Sequence, residues 1–169
     1  MADQLLRSFR FHVRLSKSAA AQSGSQVPTD KLTGAALGDG AFQECSGLEV
    51  EMDVQEYLEG GRNDGVIKRV GRAKYSAIVL KRGMFYGSGG AVNRDLWNWI
   101  QGVVAGDRPV ARYDGTIRVF SSGEKPSATW VFDRGLPMKI RGPELNAKTG
   151  EVAIEELHIA HEGLRLEKN

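Results

Sequence analysis

SGLEVEMDVQEYLEGG, residues 46–61, alternates almost without a break. Leu48, Val50, Met52 and Val54 fall on one parity. Glu49, Glu51 and Asp53 fall on the other, followed by Gln55. Period two marks a strand with one apolar and one polar face. Such a strand lines three carboxylates along one face at a spacing of about 7 Å, where like charges repel. The row raises the question of which groups face it.

The pattern recurs outward from this stretch. Phe9, Phe11, Val13 and Leu15 alternate with Arg10, His12 and Arg14, which reads as a half-buried strand. Residues 16–41 are rich in Ala, Gly and Ser and read as a long mobile loop inserted between strands. The opening strand is expected to start at Phe42, with a kink at Ser46-Gly47. Residues 60–74 read as an extended excursion with an Asn-Asp-Gly turn. Tyr75 to Leu80 is apolar on both parities, as in a strand covered on both faces.

Leu96, Trp99, Ile100 and Val103 make one helical stripe, with Asn93 as N-cap and Gly106 as C-cap. Asp114-Gly115 is read as a turn before Thr116 to Phe120. Ala128, Trp130, Phe132, Leu136, Met138 and Ile140 share a parity, as in a long strand or a pair bent near Gly135. In residues 151–166 the parity switches between Val152/Ile154 and Leu157/Ile159, and a β-bulge at Glu155-Glu156 would reconcile the two halves. The fold class expected is mainly β, a sandwich or barrel with one flanking α-helix, over a single domain spanning 1–169.

With 169 residues, 41% hydrophobic and 26% charged, the composition is that of an ordinary folded domain with a real core. A net charge of +2 gives no overall field toward nucleic acid or membrane. No apolar run is long enough to span a bilayer, and no membrane partner is expected. The start, MADQLLRSFRFHVRL, carries arginines where a signal peptide would be apolar, so synthesis in the cytoplasm is expected. The single cysteine, Cys45, cannot close an internal disulfide.

Residues that might do chemistry do not assemble into a site. His158 and His161 are three apart, so a regular strand sends them to opposite faces rather than to one metal. Gly87-Ser88-Gly89-Gly90 precedes a helix, but no Gly-Lys-Ser/Thr follows. Cys45 has no neighbouring His and reads as a packed thiol. Trp97 lies off the helical stripe and reads as a flank or contact residue. Glu155 and Glu156 point to opposite faces and are no glycosidase pair. No catalytic residue, cofactor or metal is expected, and the chain does not read as an enzyme.

Charge arrangement is the informative feature. Residues 44–59 hold Glu44, Glu49, Glu51, Asp53, Glu56 and Glu59 and no base. Residues 62–82 hold Arg62, Lys68, Arg69, Arg72, Lys74, Lys81 and Arg82 against one acid, Asp64. The plain reading is a solvated hairpin with cross-strand pairs. The sharper reading is a self-assembly surface made of Glu49, Glu51, Asp53, Glu56, Glu59, Arg62, Lys68, Arg69, Arg72 and Lys74. Exposed pairs contribute only about 0.2–1 kcal/mol each, so charges would set register while apolar strands supply the burial.

Seven segments come in a telling order: Phe42-Gln-Glu-Cys-Ser-Gly-Leu48, Tyr57-Leu-Glu-Gly-Gly61, Lys74 to Gly83, Leu96-Trp-Asn-Trp99, Trp130-Val-Phe132, Gly142 to Ala147, and Glu151 to Leu164. Together they resemble the phage tail tube family, and more narrowly the inner-tube proteins of contractile injection systems, relatives of the Hcp-like type VI secretion tube protein. The resemblance covers residues 8–15 and 42–164. It implies an Hcp-like tail-tube fold and a structural protein of the virion or particle. It implies hexameric rings whose inner strands join around a lumen, and self-assembly into a stacked tube. The implied partners are further copies of itself, a contractile sheath protein, baseplate and spike proteins, and cargo or DNA in the lumen. Assembly would occur in the bacterial cytoplasm, before the phage tail or injection particle is released. The excursion at about residues 55–75 resembles the loop that contacts neighbouring subunits and rings. Two departures, the long 16–41 segment and an expanded Met84 to Val92 stretch, keep a tube-end or tube-initiator ring at the baseplate as an alternative. A small ligand- or cofactor-binding β-barrel is the alternative of another class.

Overall fold

The computed structural model describes residues 6–7, 10–18, 36–40, 42–61, 65–87, 89–121, 123–148 and 150–168. The element order is β1 (Phe11–Lys17), β2 (Ala36–Gly40), β3 (Glu44–Ser46), β4 (Val50–Tyr57), β5 (Ile67–Tyr75), β6 (Ile78–Gly83), α1 (Asp95–Ala105), β7 (Tyr113–Val119), β8 (Ala128–Arg141), β9 (Ile154–Ala160) and β10 (Gly163–Glu167). Eight strands form one antiparallel sheet in the order β2-β1-β7-β8-β9-β6-β3, with β10 on β8. The long strand β8 serves two halves. Its first part pairs with β7 and β10, and its last part, Leu136 to Arg141, pairs with β9. The halves enclose the core as a sandwich and do not close into a barrel.

Alternation fixes which residues meet. Val13, Leu15, Ile117 and Phe132 come inward from one half. Ile78, Leu80, Leu157 and Ile159 come inward from the other, and Leu96 and Trp99 descend from α1. Gly106 ends the helix in the left-handed conformation, as expected of its C-cap. At the other end, the Asn93 side-chain oxygen accepts the Asp95 N–H at 2.9 Å, while Arg94 holds the cap position itself.

The structure corrects several local expectations. Part of the 16–41 segment is strand, since β1 runs to Lys17 and β2 pairs beside it. Residues 19–35 and Phe9 lie outside the described residues. Ile67 to Tyr75 is a full strand, not an excursion. Tyr75 to Leu80 is two strands, because the chain breaks at Ser76-Ala77. Asp114-Gly115 is no turn but lies inside β7. A Cβ on Gly115 would sit 2.0 Å from a Phe132 ring carbon, so glycine there makes room for this large, fully buried side chain. Strand β9 has no bulge: Glu155 itself takes an inward position between Ile154 and Leu157.

Candidate assembly interface

Strand β3 is followed by Gly47, whose φ of 84° is a conformation that L side chains rarely adopt. A Cβ there would also meet the Ala77 carbonyl oxygen at 2.0 Å. This turn releases the chain into β4 and β5, which among the described residues pair only with each other as a two-stranded arm. His161 holds the base of the arm. Its Nε2 lies 3.0 Å from the Ser76 carbonyl oxygen, and its ring packs against Tyr75.

The register explains the acidic row. Glu51 faces Lys74, Gln55 faces Arg69 and Glu56 faces Lys68. Between Met52↔Ala73 and Val54↔Val70 the register shifts, so Gly71 and Arg72 together oppose Asp53. Lys74 Nζ reaches Asp53 at 2.6 Å, and this hydrogen bond, with the Asp53 charge, raises the Lys74 pKa. The Ser76 hydroxyl donates to Glu49 at 3.0 Å. Arg69 stacks over the Tyr57 ring at 4.5 Å. The row is therefore answered within its own chain, by the cross-strand pairing of the plainer reading. Glu59 is exposed beyond β4, Arg72 sits exposed at the bulge, and Arg62 lies outside the described residues.

The opposite face of the arm is the feature that parity foretold without a destination. Val50 faces Tyr75, Met52 faces Ala73, and Val54 faces Val70. Val50, Met52, Val54 and Val70 are 54%, 45%, 59% and 78% exposed. Among the described residues, this is an amphipathic hairpin whose apolar face is largely exposed.

The remaining candidates each have a structural partner. Glu155 is buried and accepts from Arg82 Nε at 2.5 Å and from Trp97 Nε1 at 3.0 Å. Trp97 thus ties α1 to the sheet. Trp99 Nε1 donates to the Ala111 carbonyl at 2.9 Å. His158 contacts Glu156 at 2.5 Å, while His161 is held at Ser76 and Gly163, so the two histidines do not converge. Burial, and then the Glu44 charge, pushes the Cys45 thiol up to about 12. Gly87 and Gly90 form a turn closed by a Tyr86–Val92 bridge. Among the described residues, no group of three or more His, Cys, Asp or Glu is placed to hold a metal, and no helix is long and apolar enough to cross a membrane.

A mainly β sandwich with one helix and a free amphipathic arm defines a tail-tube-like structural domain. Residues 7–165 match the family model of the T4-like virus tail tube protein gp19, and the chain belongs to that family. The family is one of structural tube proteins, not enzymes. Solved structures agree in fold. A chain in the six-fold symmetrised baseplate of the anti-feeding prophage is similar at 20% identity and TM-score 0.74, over 99% of this chain and 97% of that one. A chain in the extended sheath–tube complex of the PVC extracellular contractile injection system is similar at 21% identity and TM-score 0.72, over 98% and 93%. A chain in the anti-feeding prophage tube-terminating cap is similar at 20% identity and TM-score 0.72, over 100% and 95%. No curated protein matches the sequence.

Proposed function

We propose that the chain is the inner-tube subunit of a contractile, phage tail-like injection particle, assembling as hexameric rings stacked around a lumen. The observation that carries this reading is the uncovered apolar face of the β4–β5 arm, on a chain that belongs to a tube family. Fully burying a valine side chain stabilises by about 1.5–3 kcal/mol, so a neighbour that covers this face gains more than exposed ion pairs supply. Glu49, Glu51, Asp53, Glu56, Glu59, Arg62, Lys68, Arg69, Arg72 and Lys74 set the register of that contact, partly neutralised along the arm.

The likeness to chains in a sheath–tube complex and in a baseplate supports a sheath protein and baseplate or spike proteins as partners. The lumen would carry cargo or DNA. Assembly takes place in the bacterial cytoplasm, before the particle is released. Val54→Asp with Val70→Asp tests the arm. Sedimentation velocity should find the variant a folded monomer where the parent sediments as a hexamer or larger. A variant that sediments like the parent would remove the arm from the assembly.

One observation favours a tube-end ring as a second reading. The β6–α1 connection exposes Phe85, Tyr86 and Val92 at 55%, 76% and 40%, an apolar patch suited to a different protein at one ring face. A pull-down of baseplate or cap proteins by the parent but not by Tyr86→Ser would support it. The small ligand-binding barrel finds no support: the sheet is not closed, and Phe132, Leu15, Ile117 and Leu157 fill its interior.

A further inference from the structure

The arm joins the body through two short connections that meet each other. Gly47 to Glu49 leads from β3 into β4, and Ser76-Ala77 leads from β5 into β6. The Ser76 N–H donates to the Glu49 carbonyl oxygen at 3.4 Å, and the Ser76 hydroxyl donates to the Glu49 carboxylate at 3.0 Å. His161 reaches this joint from the turn between β9 and β10. It is half-buried, and its ring packs on Tyr75 at 5.3 Å and on Phe132 at 5.5 Å. Both ring nitrogens lie 3.0 Å from a backbone carbonyl oxygen, Nε2 from that of Ser76 and Nδ1 from that of Gly163. A carbonyl oxygen only accepts, and a neutral imidazole carries one N–H. Only the imidazolium donates to both oxygens. In the neutral ring, one nitrogen turns its lone pair toward a carbonyl lone pair.

We propose that His161 is a proton-operated latch for the arm, the imidazolium tying the arm's base to the β9–β10 turn and the neutral ring releasing it. The two bonds differ in what they hold. Nδ1 to Gly163 joins residues two apart on one turn, and keeping it orders nothing further. Nε2 to Ser76 spans 85 positions and holds the arm to the body. The single N–H of the neutral ring therefore stays with Gly163, and the Ser76 carbonyl loses its donor. The latch is closed on the acid side of the imidazole titration and opens as pH rises through it, within about pH 5 to 8. The charged groups around the joint have partners of their own. Glu162 pairs with Arg134 at 2.7 Å and with Arg112 at 3.0 Å, and Asp133 pairs with Arg165. Glu49 holds the Ser76 hydroxyl, and Lys74 reaches Asp53 at 2.6 Å. The switch thus lies in the two carbonyls. The latch belongs to the fold of one chain, and its effect on assembly rests on the tube reading above. A tied arm presents its apolar face in one orientation, whereas a released arm must be ordered before a neighbour can cover it.

Nitrogen-15 NMR of the His161 ring and hydrogen exchange of the arm test the latch. At about pH 5 both ring nitrogens should carry a proton, and at about pH 8 Nδ1 alone. Amide exchange in residues 50–57 and 67–75 is divided by the intrinsic rate at each pH and compared at equal oligomeric mass. It should rise about fivefold or more across that range, the effect of one lost hydrogen bond. His161→Phe keeps a ring against Tyr75 and Phe132 but removes both donors, so its exchange should be fast and the same at both ends. His158→Phe removes the other titrating contact of β9 and should keep the parent's change. The nitrogen spectra need no variant and decide the matter if His161→Phe fails to fold. A proton on Nε2 at the alkaline end, arm exchange that ignores pH, or a change that persists in His161→Phe overturns the latch and leaves the tube reading standing. A latch that opens while the parent's half-assembly concentration stays constant upholds the latch and removes the arm from the assembly.

Discussion

At the scale of single residues, Glu155 shows why a parity argument fails where it does. An acid beside Leu157 and Ile159 looks like a surface residue, so the sequence reads as bulged. The structure puts it inside because Arg82, 73 positions earlier, and Trp97 satisfy its oxygens. Nothing local to Glu155 announces either partner. Removing one member of a buried pair strands the other, so Glu155→Ala should cost about 3–5 kcal/mol in chemical denaturation. Trp97→Phe leaves one Glu155 oxygen without its donor and should cost about 1–3 kcal/mol. Equal, small losses for both would mean that the pair does not anchor the helix. Cys45 was legible as a packed thiol. With its pKa raised to about 12, it should resist a thiol reagent at pH 8 in the folded protein and react on unfolding. Its contacts with the core, not its nucleophilicity, account for its place.

At the scale of elements, strands with clean alternation are legible in the sequence, and strands that exist through their partners are not. Val50 to Tyr57 follows its own pattern, but Ile67 to Tyr75 becomes a strand by pairing with it, its alternation broken by the Gly71-Arg72 bulge. Strand β2 has no amphipathic pattern and exists through its pairing with β1. The charges of the arm were legible, while the identity of their partners depended on the hairpin register. On β9, the contact from His158, aided by the charges of Lys81 and Arg141, holds the Glu156 carboxyl below its ordinary range. A lowered folded pKa gives stability that is present above the ordinary carboxylate value and lost as pH falls through the lowered one. Glu156→Gln should therefore lower stability at neutral pH and flatten its loss below about pH 4, where the two proteins converge. Denaturant titrations across that range check it, and an unchanged acid slope would count against the Glu156 contacts.

At the scale of the whole molecule, the sequence carried the class of fold through the order of its segments and the single helical stripe. It did not carry the sharing of β8 between two half-sheets, because that depends on which strands pair far apart in sequence. Among the described residues, the chain leaves three kinds of surface unfinished: the exposed apolar arm, the apolar β6–α1 loop, and open strand edges. A monomeric protein rarely keeps so much uncovered apolar surface and free strand edge together. On the proposed reading, further copies of the chain supply the missing cover. The most direct measurement is negative-stain electron microscopy of the purified protein, with its mass by light scattering. The account predicts sixfold rings or stacked tubes and a mass of at least six chains. A well-folded species of single-chain mass, with no rings at any concentration, would contradict it.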